Sequence, residues 1–297
     1  MGSISIMKKA VFLIVYPFLW LISKLLFPIF YLISDILFVI IYHLIGYRKK
    51  VVQENLLIAF PQKTEKERNK IEKAFYKHMC DMFLEMIKTL SISKKELKKR
   101  FVYKNIEALT ELEKKSKGVI VMCGHYASYE WATAINFYKT NNKGYAIYKK
   151  VKNPYFDKLV KDIRANLGTT LISSKEVIPT MMRNIRAQQK SSYYMIADQS
   201  PKKGNQKHYI NFLGKEVPAF VGSEAMAKRL GFAVLYLQVE KVKRGYYEAS
   251  FVSLAENAEN FADYKITDKF FSNLAQQIKR KPEYYLWTHK RFKHAKN

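Results

Sequence analysis

Val119-Ile120-Val121-Met122-Cys123-Gly124-His125-Tyr126-Ala127-Ser128-Tyr129-Glu130-Trp131 decides how the chain is read. A β-branched apolar run follows the turn-forming Lys117-Gly118 and stops at Gly124, the pattern of a buried strand. From Ala127 through Trp131-Ala132-Thr133-Ala134-Ile135 the spacing is helical. His125 therefore stands where a strand gives way to a helix N-terminus, and Glu130 follows in the first helical turns. A fold-back at Gly124 is expected to bring the Glu130 carboxylate onto the imidazole. A neutral imidazole held in one tautomer is a general base suited to a hydroxyl. A carboxylate behind it orients the ring and stabilises the imidazolium that forms. Free N–H groups at the helix start are expected to meet a developing oxyanion.

Downstream, strands and helices alternate. Tyr145–Tyr148 reads as a strand; Asn153 and Pro154 open a helix that runs through Leu167 and stops at Gly168. Thr169–Ile172 is extended, Ser174–Arg186 helical, and Ser192–Ala197 a further apolar strand ending at Asp198-Gln199. His208–Leu213 is extended and Phe220–Leu230 helical. Ala233–Glu240 and Tyr246–Leu254 form strands around the Lys243-Arg244-Gly245 turn, and Asp268–Arg280 is the last long helix. This alternation predicts an α/β fold, a layered, mostly parallel or mixed sheet flanked by helices. Upstream, Thr64 with Glu67 makes a capping box for a helix to Leu90, with His78 packed on its apolar face. Ser91–Arg100 is a basic segment.

From Ala10 to Tyr47 the only charged residues are Lys24 and Asp35. Each charge-free piece is shorter than the roughly 20 residues of a spanning helix. Lys8 and Lys9 precede the segment and Arg48, Lys49 and Lys50 follow it. A re-entrant hairpin near Pro28 and a single tilted span with an interfacial segment both fit. A buried core helix and a cleaved signal peptide fit less well, since there is no polar face and no small-residue cleavage site. The expected division is a membrane anchor over residues 1–50 and a catalytic domain over 51–297.

The 297 residues carry a net charge of +27, which calls for an acidic partner: nucleic acid, an anionic membrane or an acidic protein. No zinc finger, RNP motif, helix-turn-helix signature, Walker A sequence or G-x-G-x-x-G accompanies it. The two cysteines, Cys80 and Cys123, form neither a disulfide framework nor a zinc spacing. Ser128 lacks nucleophile-elbow spacing and Cys123 sits in an apolar run, so direct transfer is expected rather than a covalent intermediate.

His125 and Glu130 fit the H-x-x-x-x-[D/E] pattern of acyltransferases acting on glycerolipids and lipid A. Further matches follow the same order: Asn55-Leu56 with Phe60-Pro61, Asn153-Pro154 with Asp157, Arg164 and Gly168, then Ala197-Asp198-Gln199. Phe212-Leu213-Gly214 with Pro218-Ala219 comes next, and the chain closes on Pro282-Glu283-Tyr284-Tyr285-Leu286-Trp287-Thr288-His289-Lys290-Arg291-Phe292-Lys293. Over about residues 45–294 the chain resembles the late, or secondary, lipid A acyltransferases. It departs from them at Tyr129, commonly Trp, and at Ala127-Ser128, frequently Gly-Asn.

The resemblance implies a membrane-bound O-acyltransferase that moves a fatty acyl chain from an acyl carrier protein thioester to a hydroxyl on a hydroxyacyl chain of a lipid A precursor. His125 and Glu130 are then the catalytic pair, with no metal or cofactor required. Arg164 and Asp198 are the expected substrate contacts, Arg164 through bidentate bonds to phosphate or as an ion-pair partner of Asp198 or Glu130. Lys290 and Arg291, with Lys149 and Lys150, supply cations for a phosphorylated head group. A structural hydrogen bond is expected of His289. The implied partners are acyl carrier protein, an anionic lipid and the membrane, not nucleic acid. The implied place is the bacterial inner membrane with the site on its cytoplasmic side. Acylation of a lysophospholipid or aminolipid, and a non-catalytic basic protein binding anionic lipid, are the alternatives.

Overall fold

Two apolar helices open the chain. In the computed structural model, which describes residues 2–202 and 204–296, α1 (Gly2–Lys24) turns at Leu25-Leu26 into α2 (Phe27–Val39). Pro28 sits in the first turn of α2, where its missing N–H costs nothing. A π-helical turn, Ile40–Ile45, extends α2 to Gly46. Both Ile6–Lys24 and Phe27–Ile45 are long and apolar enough to cross a membrane, and Ile14, Phe18, Leu21, Leu32 and Ile36 face outward. They fit a membrane anchor.

α3 (Lys49–Ala59) and α4 (Glu65–Lys88) follow. Thr64 and Glu67 form the expected capping box. α4 is tied to the hairpin by polar contacts. Ser34 donates to Asp81 at 2.8 Å, Tyr31 donates to Glu85 at 2.9 Å, and the Lys88 ammonium donates to the carbonyls of Ser23 and Leu25 at 2.6 Å. Asp35, a charge amid apolar residues, is met by Arg244 at 2.9 and 3.0 Å. Asp35 keeps part of its surface exposed and pairs with Lys77 at 3.8 Å as well.

The remaining elements are α5 (Lys94–Arg100), β1 (Phe101–Tyr103), α6 (Ile106–Lys115), β2 (Gly118–Cys123), a 3₁₀ segment Tyr129–Phe137, β3 (Lys143–Tyr148), α7 (Pro154–Asn166), β4 (Thr170–Ser173), α8 (Val177–Arg186) and β5 (Ser191–Ile196). The short hairpin of β6 (Tyr209–Phe212) and β7 (Lys215–Pro218) leads to α9 (Gly222–Leu230), β8 (Ala233–Lys243), β9 (Tyr246–Ala255) and α10 (Lys265–Arg280). The main sheet has the order β1-β9-β8-β2-β5-β3-β4 and is parallel except at the β8–β9 hairpin. It is the expected α/β sheet. β2 lies at its centre with Val119, Ile120, Val121 and Met122 fully buried, the continuous apolar run of a parallel strand covered on both faces. At the β8–β9 turn Gly245 has φ +73° and lies against Tyr31, where a Cβ would collide with the hydroxyl. The turn closes over the hairpin because that residue has no side chain.

Candidate active site

Two neighbouring parallel strands build the site. Cys123 closes β2 and Ile196 closes β5, and the two pair in register. Two residues beyond each strand end come His125 and Asp198. Equal offsets from a shared register place them side by side at the carboxyl edge of the sheet, where open α/β sheets bind their ligands. Gly124 makes the exit possible: a Cβ there would lie 2.7 Å from Leu274.

The Asp198 carboxylate, 2% exposed, takes two bonds from one residue. His125 Nδ1 lies 2.7 Å from Oδ1, and the His125 backbone N–H donates to Oδ2 at 3.1 Å. An ionised carboxylate only accepts, so Nδ1 carries the proton and Nε2 keeps its lone pair. Burial pulls the imidazole pKa down, but the Asp198 charge, its hydrogen bond and the Glu130 charge outweigh that and raise it. Asp198 responds in the opposite sense. Burial pushes its pKa up, while the His125 charge, the two hydrogen bonds and the Arg291 charge bring it below the usual carboxylate value. Both directions strengthen an imidazolium–carboxylate pair.

The carboxylate on the imidazole is thus Asp198, and the expectation for Glu130 is corrected. One guanidinium nitrogen of Arg164, on α7, lies 2.7 Å from both oxygens of Glu130. Arg164 is engaged with this carboxylate rather than with Asp198. The reason is local geometry. Ala127 adopts a left-handed φ of +50°, and the helix begins only at Tyr129, as 3₁₀. Glu130 is carried towards α7 instead of back over the ring. The N–H groups near the strand end are also spent. His125 N–H goes to Asp198, Tyr126 N–H to Gly124 O and Ala127 N–H to Tyr284 O. The helix-start donors expected for an oxyanion lie further on, at Tyr129 and Glu130, ahead of Trp131 N–H, which donates to Ser128 O.

The closing segment forms a wall of the site. Tyr126 bridges Tyr285, and Leu286 N–H donates to His125 O. Asn55 of α3 holds this wall by donating to the carbonyls of Trp287 and His289 at 2.7 and 2.8 Å, and Arg48 donates to Thr288 O at 2.8 Å. Arg291 is 1% exposed. Its guanidinium packs against Phe212 and Phe271 and donates to Ser200 Oγ and Pro218 O. A side chain so enclosed cannot meet a head group at the surface, and the expected phosphate contact at Arg291 gives way to an interior clamp. Lys290, Lys149 and Lys150 are exposed. The hydrogen bonds found at His289 are made by its backbone: its carbonyl accepts from Asn55 and from Arg291 N–H, and its N–H donates to Leu286 O.

Two side chains at the ring carried no specific role in the sequence. The Gln199 carboxamide nitrogen lies 3.4 Å from His125 Nε2. The Tyr129 ring stands edge-on to the imidazole at 5.1 Å. Gln199 was legible only as the residue after Asp198. Cys123 is buried, its thiol pKa is pushed up by burial, and it points to Met195 O, so it has none of the features of a nucleophile. Behind Tyr129, which stands against the ring, lies a small apolar chamber partly open to solvent, lined by Tyr129, Glu130, Ile135, Ile147, Tyr194 and Ile196 among others. Among the described residues no cluster of three or more His, Cys, Asp or Glu could hold a metal ion.

The geometry therefore provides a partly exposed, oriented imidazole with a free lone pair, separated from an apolar chamber by Tyr129. It can take a proton from a hydroxyl and return it to a leaving group. In comparisons with known proteins, the family model described as bacterial lipid A biosynthesis acyltransferase matches residues 2–294, nearly the whole chain. No curated protein matches it.

Proposed function

The chain belongs to the bacterial lipid A biosynthesis acyltransferase family and is an acyltransferase, and from that premise we propose that it moves a fatty acyl chain from acyl carrier protein to the hydroxyl of a hydroxyacyl chain on a lipid A precursor. The observation that carries this is the Asp198–His125 contact at 2.7 Å, with an apolar chamber behind the adjoining Tyr129. In the proposed step the acceptor hydroxyl replaces the Gln199 carboxamide at His125 Nε2. Its oxygen attacks the thioester carbonyl carbon as Nε2 takes its proton. Asp198 stays ionised and stabilises the imidazolium. The tetrahedral oxyanion collapses, the C–S bond breaks, and the departing thiolate recovers the proton from Nε2. One ester forms and one thiol leaves. Glu130 and Arg164 act as positioning residues, joining the 3₁₀ segment to α7 along the chamber.

The +27 charge supports the choice of donor and acceptor, since acyl carrier protein is acidic and lipid A precursors carry phosphates. Lys149, Lys150 and Lys290 are the head-group cations of this reading. The hairpin α1–α2 holds the enzyme on the bacterial inner membrane, with the site on the cytoplasmic side where the carrier protein is found. The test uses full-length protein in detergent with acyl carrier protein thioester as donor. A lipid A precursor and a lysophospholipid compete as acceptors, and products are read by mass spectrometry. Transfer to the hydroxyacyl chain, lost in His125→Ala, is expected. Preference for the lysophospholipid overturns the acceptor assignment.

A further inference from the structure

A second apolar chamber lies across the Glu130–Arg164 ion pair from the first. Glu130, Thr133 and Arg164 line both. The second chamber is walled by Leu19 of α1, Ile87 of α4, Phe156, Leu159 and Ile163 of α7, and Leu167, the C-cap of that helix. These four residues follow at intervals of three, four and four, so they form one stripe along the helix and its end. From Phe156 to Leu167 the stripe extends roughly 16 Å at 1.5 Å per residue. It is a groove long enough for an alkyl chain rather than a pit for a single methyl group.

We infer that this chamber binds the acceptor lipid's own alkyl chain, which enters sideways from the membrane between α1 and α7. This rests on the reading of the protein as a hydroxyacyl-chain acyltransferase. An ester formed on a hydroxyacyl chain joins two alkyl chains at one carbon. Both tails leave the reacting atoms in different directions, and each needs a place out of water. A glycerol or sugar hydroxyl would bring only the donor chain to that point. The structure offers two apolar compartments that meet at three shared residues, Glu130, Thr133 and Arg164, with Tyr129 of the first standing between it and His125. The first, lined by Tyr129 and the ends of β2 and β5, takes the donor chain.

The second chamber shares a wall with the outward apolar face of the anchor. Leu19 lies on α1 beside Phe18 and Leu21, which are exposed. A chain in the groove therefore continues into hydrocarbon along α1 without crossing water. At the other end of the α1–α7 contact the surface turns basic. Asn153, the N-cap of α7, donates to Lys8 O at 3.3 Å, and Lys9, Lys150 and Lys152 are exposed around it. Between these ends Phe12 packs on Tyr155 and Phe156. An anionic head at the lysines and a tail along α7 match an amphiphile drawn from the bilayer.

The test has two arms on the full chain. A phosphorylated glucosamine carrying a 3-hydroxyacyl chain with a diazirine at its end is incorporated into nanodiscs with the protein, irradiated, and mapped by mass spectrometry. Cross-links at Leu19, Leu159 or Ile163 are expected. In Val160→Trp, which fills the chamber, these cross-links fall at least tenfold, and the acceptor KM rises at least tenfold more than the donor KM. Cross-links confined to Ile147 and Tyr194, or to the outward faces of α1 and α2, overturn the inference, as does an equal change in both KM values. Transfer with misplaced cross-links removes the chamber alone. Cross-links in the chamber with no transfer to any hydroxyacyl lipid leave the lipid site standing and remove the proposed reaction.

Discussion

Asp198→Asn tests the site most directly, because an amide cannot satisfy both bonds that the carboxylate takes from His125. Oδ1 accepts from Nδ1 at 2.7 Å and Oδ2 from the backbone N–H at 3.1 Å. Asparagine has one acceptor oxygen. Facing it to the backbone turns its NH₂ on Nδ1, which forces the proton to Nε2 and removes the base. Facing it to Nδ1 sets the NH₂ against a buried N–H, a mismatch of about 1–3 kcal/mol. Loss of the charge-assisted bond alone is worth about 1.5–3 kcal/mol, or roughly tenfold to a hundredfold in rate. With the wrong tautomer added, a fall in kcat of about 10²–10⁴ is expected.

The assay is thioester-dependent transfer over a range of pH, with circular dichroism and Tm as folding controls. In the parent enzyme Asp198 raises the imidazole pKa above its ordinary 6.5, so the rate climbs with pH through a midpoint above that value. In Asp198→Asn the main cause of the rise is gone, and the residual activity has its acid limb at lower pH. A folded Asp198→Asn enzyme within about threefold of the parent in kcat, less than one charge-assisted bond, refutes the assignment. If Glu130→Gln were then inactive, Glu130 would be the partner of the imidazole in solution.

Glu130→Gln is expected to lower activity less than Asp198→Asn, about tenfold, by releasing Arg164 and loosening α7, and to leave the pH midpoint above 6.5; steady-state kinetics against pH measure it. Glu85 is fully buried, and burial pushes its carboxyl from 4.5 up to about 7. Because the folded pKa is raised, its contribution is present below pH 4.5 and is lost as pH rises through about 7, on the order of 3 kcal/mol; Glu85→Gln is expected to flatten the fall in Tm across that window. Washing membranes at 1 M salt, where the Debye length is about 3 Å rather than about 10 Å, is expected to leave the full chain bound; complete release by salt alone refutes an inserted hairpin.

Much of the fold was legible because the apolar runs were unambiguous. Val119–Met122 and Ser192–Ile196 are too short for helices and lie between turn residues, so they read as sheet. Their ends read as chemistry: each stops on a small residue followed by His125 or Asp198. The pairing of those two ends was not legible, because register between parallel strands 73 positions apart is set by the whole sheet and leaves no local mark. Glu130, by contrast, looked close because it was close in sequence. The helix assumed to carry it starts two residues late, after a left-handed alanine. Short spacing misleads wherever the backbone between two groups is irregular.

The same contrast explains the two charges that looked anomalous in the apolar N-terminus. Lys24 closes α1, with its ammonium over Trp20, at the end of the hairpin where a snorkelling cation belongs. Asp35 is also partly exposed, and cations hold it, Lys77 at 3.8 Å and a distant arginine. Its partner, Arg244, lies more than two hundred residues away on the β8–β9 turn and also grips Asp81 of α4 at 2.7 Å. One guanidinium thus ties the anchor, the long helix and the sheet together. α4 also carries the backbone carbonyl of Glu85 that accepts from Trp131 of the 3₁₀ segment at 3.0 Å. The anchor and the catalytic loop are therefore fixed to one helix, two contacts apart. On the proposed function, in which the acceptor comes from the bilayer, the base needs a set height above α1 and α2. The polar residues of α4 set that height, and their own position in an otherwise apolar contact is what makes them costly to replace.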